Sequence, residues 1–125
     1  MWSECIAAGT PELLIAKAEG VALGWLSFGQ CRDQAAPKNE GEVWAFYVSP
    51  SSWSTGVGRM LWLRTRELMR AQGFTSCSLW VFPQNHRAIA FYRAAGFVPD
   101  GTEPKSFELG GTHLQEVRLV AQLDG

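Results

Sequence analysis

VSPSSWSTGVGRML, Val48 to Leu61, and NHRAIAFYRAAGF, Asn85 to Phe97, are the two stretches on which the fold turns. In the first, a short apolar run is stopped by Ser49-Pro50-Ser51-Ser52, and Gly56-Val57-Gly58 then opens a second periodic segment. There Val57, Leu61, Thr65 and Leu68 recur at steps of four, four and three, while Arg59, Arg64, Arg66, Glu67 and Arg70 lie largely off that stripe. The spacing predicts an amphipathic helix that Gly73 ends. In the second stretch Asn85 is placed as the N-cap of a helix running to Ala95 and halted by Gly96. A strand, a turn and a helix beginning at Gly56-Val57-Gly58 leave unpaired backbone N–H groups at the positive end of a helix dipole, which suits an anion. The same glycine pair serves equally well for tight packing alone.

Working outward, LLIAKAEGVALGWLSFG (Leu13 to Gly29) reads as two apolar-rich strands joined at Glu19-Gly20, a β-hairpin. The polar loop QCRDQAAPKNEG (Gln30 to Gly41) leads into a strand at Glu42 to Val48, and CSLWVF (Cys77 to Phe82) is a further compact strand. The tail from Phe107 to Leu123 reads as two strands across a Gly110-Gly111 turn. There is no internal repeat and no low-complexity tract, and 125 residues fit a single domain, 1–125.

Composition narrows the function. A hydrophobic fraction of 46% with six Trp is that of a folding chain, and a net charge of −1 without a Lys/Arg run argues against nucleic acid as a partner. Cys5, Cys31 and Cys77 fit neither a disulfide framework nor a zinc site, so a cytoplasmic, reducing environment and no metal are expected. His86 is expected to face solvent, and His113 to lie by the Gly110-Gly111 turn. No apolar run reaches bilayer length, so no membrane partner is expected. Two nucleotide motifs are rejected. A P-loop needs Lys-Ser or Lys-Thr where Arg59-Met60 follows Gly58, and a dinucleotide fingerprint needs a small residue at Leu61.

The two opening stretches, in that order, resemble the GCN5-related N-acetyltransferase superfamily, and the resemblance runs from about Leu13 to Leu123. It implies an α/β (α+β) acyltransferase fold, a mixed and mostly antiparallel sheet with two main helices. The usual N-terminal strand and helices are expected to be largely missing, with WSECIAA as a remnant of the second helix. In that family the pyrophosphate of acetyl-coenzyme A lies on a loop patterned Gln/Arg-x-x-Gly-x-Gly/Ala, whose positions are filled here by Trp53, Ser54, Thr55, Gly56, Val57 and Gly58, with Arg59 following. Trp53 departs from the usual Gln or Arg. The resemblance also implies that the strands 42–48 and 77–82 splay to admit pantetheine beside Phe46, Tyr47 and Val48. Asn85 would then bond the pantetheine arm, or serve only as an N-cap. Tyr92 would sit beside the thioester sulfur, or serve only as a core aromatic.

The activity so implied is transfer of an acetyl group from acetyl-coenzyme A to a primary amine of a small molecule or peptide by direct attack. Such a reaction needs a neutral amine, a polarised carbonyl and a proton for the leaving thiolate. Backbone N–H groups around Tyr47 and Val48 are candidates for the carbonyl, and Tyr92 for the sulfur. Glu42 stands as far before the glycine loop as the glutamate base of the histone-acetyltransferase branch, with Glu40 and Asp33 as rivals. A carboxylate merely solvated or paired at a strand end is the other reading of Glu42. Two further functions stay open: a non-catalytic acyl-coenzyme A-binding module, and a subunit completed by a partner. A homodimer is expected, covering the apolar surface of Trp2, Trp25, Trp44 and the hairpin.

Overall fold

The computed structural model of the chain describes residues 2–6, 12–33 and 35–123. The strands are β1 (Trp2–Ile6), β2 (Glu12–Ala18), β3 (Val21–Gln30), β4 (Glu40–Val48), β5 (Ser76–Val81), β6 (Val98–Pro99), β7 (Lys105–Leu109) and β8 (Thr112–Gln122). The helices are α1 (Val57–Ala71) and α2 (His86–Ala94), and a 3₁₀ turn occupies Pro50–Ser52. The sheet order is β1-β2-β3-β4-β5-β8-β6, with β7 paired to β8. Neighbours are antiparallel except β4 and β5, which run parallel.

One expectation is corrected at the front of the chain. Trp2–Ile6 is not a remnant of a helix; it pairs with β2 from Trp2 opposite Lys17 to Ile6 opposite Leu13. A first strand is therefore present, and it occupies the edge of β2. The physical reason is non-local. So short a segment nucleates a helix poorly in water, whereas the β2 edge offers it a ready row of backbone partners. Residues 7–11, which separate β1 from β2, and the side chains of Trp2 and Cys5 lie outside the described residues.

The hairpin forms as its turn chemistry requires, with Glu19 at φ 52° and Gly20 at φ 78°. Leu14 and Ala16 of β2, Leu26 and Phe28 of β3, and Val43 of β4 face one way and are buried. α1 lies on them through Val57, Leu61, Trp62, Thr65 and Met69. The apolar stripe foreseen on α1 holds as far as Thr65, but Met69 and not Leu68 is its deeply buried last member. Cys77, Leu79 and Val81 of β5 and Leu119 and Ala121 of β8 extend the same core, and Phe97 seals it against Trp62 with ring centroids 4.9 Å apart. Burial of Phe28 alone is worth roughly 2–3 kcal/mol. On the other face Leu13 and Ile15 are half-buried and Trp25 and Tyr47 are exposed.

Candidate active site

β4 carries the feature that makes a site. Its pairing with β3 runs Ser27 opposite Ala45 and then Phe28 opposite Val43, so Trp44 is an extra residue, a β-bulge. The bulge switches the parity of the strand. Before it Gly41 and Val43 face α1; after it Phe46 and Val48 do. Pairing of β4 with β5 stops at Glu42 opposite Ser78. Beyond that point the two strands part: β5 stays paired to β8 out to Val81, and β4 to β3 out to Val48. The edge of β4 from Val43 onward thus faces β5 without a strand partner, a wedge with main-chain donors and acceptors along one wall.

The glycine loop closes the wide end of that wedge. Ser54 (φ 62°) and Gly56 (φ 93°) both take the left-handed conformation, which a serine adopts at a cost. The first helical bond of α1 runs from Met60 N to Gly56 O at 3.0 Å. The N–H groups of Gly56, Val57, Gly58 and Arg59 therefore precede the hydrogen-bonded ladder and point out of the helix end. The two glycines differ in purpose. A side chain at Gly56 would meet nothing within 4 Å, so its conformation is what demands glycine; one at Gly58 would lie 3.3 Å from the Phe91 ring, so close packing of α1 on α2 is what demands it there. Ser54 and Thr55 are exposed, Thr55 Oγ1 donating to the Ser52 carbonyl. Trp53 Nε1 donates to the Val48 carbonyl at 3.0 Å.

Tyr92 lies on α2 among Phe46, Phe91 and Phe97, with ring centroids 6.2, 5.7 and 5.7 Å away. Phe46 belongs to the parted half of β4, so Tyr92 stands beside the wedge. Burial pushes its hydroxyl up to about 12, with the Cys77 thiol adding to the effect. Tyr92 keeps its proton throughout the neutral range and is a donor there. Asn85 is the N-cap of α2: its side chain accepts from Ala88 N at 3.2 Å.

Glu42 sits at the narrow, paired end of the wedge, 2% exposed. Its Oε1 accepts from the Arg32 backbone N at 2.9 Å and from Arg32 Nε at 3.2 Å, and its Oε2 from Arg32 Nη2 at 2.9 Å. The Arg32 guanidinium in turn lies 4.4 Å over the Trp44 ring. Glu40 and Asp33 are engaged as well, both by Arg118, whose side chain is 9% exposed and which also holds Asp100 at 3.1 Å. Lys105 adds a second partner for Asp33. Burial raises the Cys31 thiol to about 11 and Cys77 further still, so neither is a thiolate nucleophile at neutral pH. His86 and His113 are exposed, and no metal-holding cluster occurs among the described residues.

Phe46, Tyr47 and Val48 thus lie on the parted half of β4, Trp53 to Arg59 in the turn and helix start that follow it, Tyr92 against Phe46 and Asn85 at the start of α2, while Glu42 lies where β4 and β5 are still paired. Sequence reading missed the Arg32 clamp and the contact of Arg87 with Trp53. Neither has a local signature, since the partners are far apart in the chain.

Residues 2–97 match the Acetyltransferase (GNAT) family, and the chain belongs to it. The uncharacterized N-acetyltransferase YuaI of Bacillus subtilis is 34% identical over 101 residues, covering 81% of this chain and 56% of that protein. A mycothiol acetyltransferase of Beutenbergia cavernae is 37% identical over 59 residues, 47% of this chain and 20% of that protein. Among solved structures, yncA of Salmonella typhimurium with its cofactor acetyl-CoA matches with a TM-score of 0.78 at 26% identity, over 93% of this chain and 66% of that one. The chain spans about half the length of YuaI and a fifth of that mycothiol acetyltransferase.

Proposed function

We propose that the chain transfers an acetyl group from acetyl-coenzyme A to a primary amine of a small molecule or peptide. The observation that carries this reading is the wedge between β4 and β5, with free helix-end amides in the loop that follows β4 and the Tyr92 ring against Phe46 of its parted half. Its parts fit acetyl-coenzyme A: an extended, amide-bearing arm matches an unpartnered strand edge, and a pyrophosphate matches the amides of Gly56, Val57, Gly58 and Arg59. When bound, that group supplies an acetyl thioester. The strand edge at Phe46 to Val48 orients the reacting end, and Tyr92 donates a hydrogen bond to the departing sulfur. Its raised proton affinity matches a leaving group whose own basicity rises in the same apolar surroundings.

Proton removal from the amine is assigned to solvent or to Glu42, whose carboxylate accepts three hydrogen bonds from Arg32. A turnover screen of diverse primary amines with acetyl-coenzyme A tests the proposal. Acetylation of at least one amine is expected, and tight cofactor binding with no turnover of any amine would favour the acyl-coenzyme A-binding module instead.

The exposed face around Trp25 and Tyr47 supports a homodimer in a cytosolic setting. Sedimentation at micromolar concentration should give twice the chain mass of 13.8 kDa. A monomer that still turns over an amine would exclude the need for a partner.

A further inference from the structure

Arg87 is out of place by ordinary electrostatics. It lies in the first turn of α2, at the positive end of the helix dipole, and that turn has no acidic residue. Arg70 and Arg93 sit in last turns, where the dipole favours a cation. Arg32, Arg64 and Arg118 each hold a carboxylate. Arg87 has neither compensation among the described residues. Its guanidinium carbon instead lies 4.1 Å from the centroid of the Trp53 ring.

That ring is itself anchored, by its Nε1 bond to the Val48 carbonyl at the end of β4. The pair therefore links the end of β4 to the first turn of α2, the helix that follows β5, and Trp53 lies three residues before Gly56, where the free amides that begin α1 start. A guanidinium stacked on an indole engages through its flat face, and its in-plane N–H donors stay available in a fork that fits phosphate oxygens. The ring also shields one face of the cation from water, which strengthens what its edge can hold.

We propose that Arg87, held in place by Trp53, binds a phosphate group of coenzyme A, adding a side-chain ligand to the main-chain ligands of the glycine loop. The proposal rests on the acetyl-coenzyme A reading of the same site. Trp53 then has a purpose in the glycine loop: it positions a cation supplied by the neighbouring helix. Coenzyme A offers two phosphate sources with the same chemistry, the pyrophosphate and the 3′-phosphate.

Calorimetric titration of coenzyme A and of dephospho-coenzyme A, which lacks the 3′-phosphate, separates them. The proteins are the parent, Arg87→Gln, Arg87→Lys, Trp53→Leu and the double variant Trp53→Leu/Arg87→Gln, each checked for native circular dichroism. Arg87→Gln should weaken coenzyme A binding roughly five- to fiftyfold. Arg87→Lys should recover part of that loss. Trp53→Leu should weaken binding too, and the double variant should lose less than the product of the two single losses, because both act through one contact. An equal loss with dephospho-coenzyme A assigns Arg87 to the pyrophosphate, and a loss confined to coenzyme A assigns it to the 3′-phosphate; either outcome supports the proposal. Unchanged affinity in folded Arg87→Gln overturns it while leaving the acetyl-coenzyme A reading intact. Independent losses overturn the anchoring role of Trp53. A parent protein that binds neither ligand overturns both readings together.

Discussion

Tyr92 and Glu42 show how surroundings divide two titratable side chains into different work. The Tyr92 ring lies among Phe46, Phe91 and Phe97, and burial keeps its hydroxyl protonated far above neutral pH. Tyr92→Phe removes only that donor. Steady-state turnover should fall about tenfold to a thousandfold, with cofactor affinity nearly unchanged. Equal turnover would make Tyr92 a packing aromatic. Glu42 has both oxygens bonded to Arg32, three donors on one carboxylate that fix it at the paired end of the strands. Glu42→Gln should lower thermal stability and leave the rise of kcat/KM with pH in place. Loss of that rise would establish Glu42 as the base.

At the scale of elements, the parted strands and the glycine loop do the positioning. The bulge at Trp44 lets one strand present Glu40 and Glu42 to one face at its start and Phe46 and Val48 to the opposite face at its end. Ser54 already holds a left-handed conformation, which aspartate also tolerates. Ser54→Asp therefore places a negative charge at the loop without new strain, and calorimetry should show weaker coenzyme A binding by about tenfold with the fold intact. Equal affinity would remove the loop from the anion site. Elsewhere Arg118 ties β8 to the start of β4 through Glu40, to the β3–β4 loop through Asp33 and to the β6–β7 loop through Asp100. Arg118→Ala leaves Glu40 buried without its cation. Chemical denaturation should register a loss of about 3–5 kcal/mol. A loss under about 1 kcal/mol would mean that the network relaxes into solvent.

For the whole molecule, stability should depend on alkaline rather than neutral pH. Cys31 is raised from 9.0 to about 11 and Tyr92 from 10.0 to about 12, both chiefly by burial, and Cys77 is raised in the same direction. The folded chain holds these protons more tightly than the unfolded one. Their contribution is complete below pH 9, and it is lost as pH climbs from 9 towards 11 and 12. Urea midpoints measured from neutral pH upward should be level to about pH 9 and then fall. A midpoint that stays level through pH 11 would show that these groups are more solvated than the core packing implies.

What the sequence determined by itself was local. The stripe of α1, the Asn85 cap and the Glu19-Gly20 and Gly110-Gly111 turns are all set by residues a few positions apart, where helix and turn energetics act. The order of those elements and the family's two motifs were legible for the same reason. Only tertiary structure decided that Trp2–Ile6 is a strand, because its hydrogen bonds come from β2. It also decided that Glu42 is clamped by Arg32, that Gly58 is bare for the sake of Phe91, that Arg87 rests on Trp53 and that Arg118 meets Asp33 across 85 residues. Each of these depends on how two sheet halves part and where two helices land, and Coulomb attraction, burial and ring contact respond to distance in space rather than along the chain.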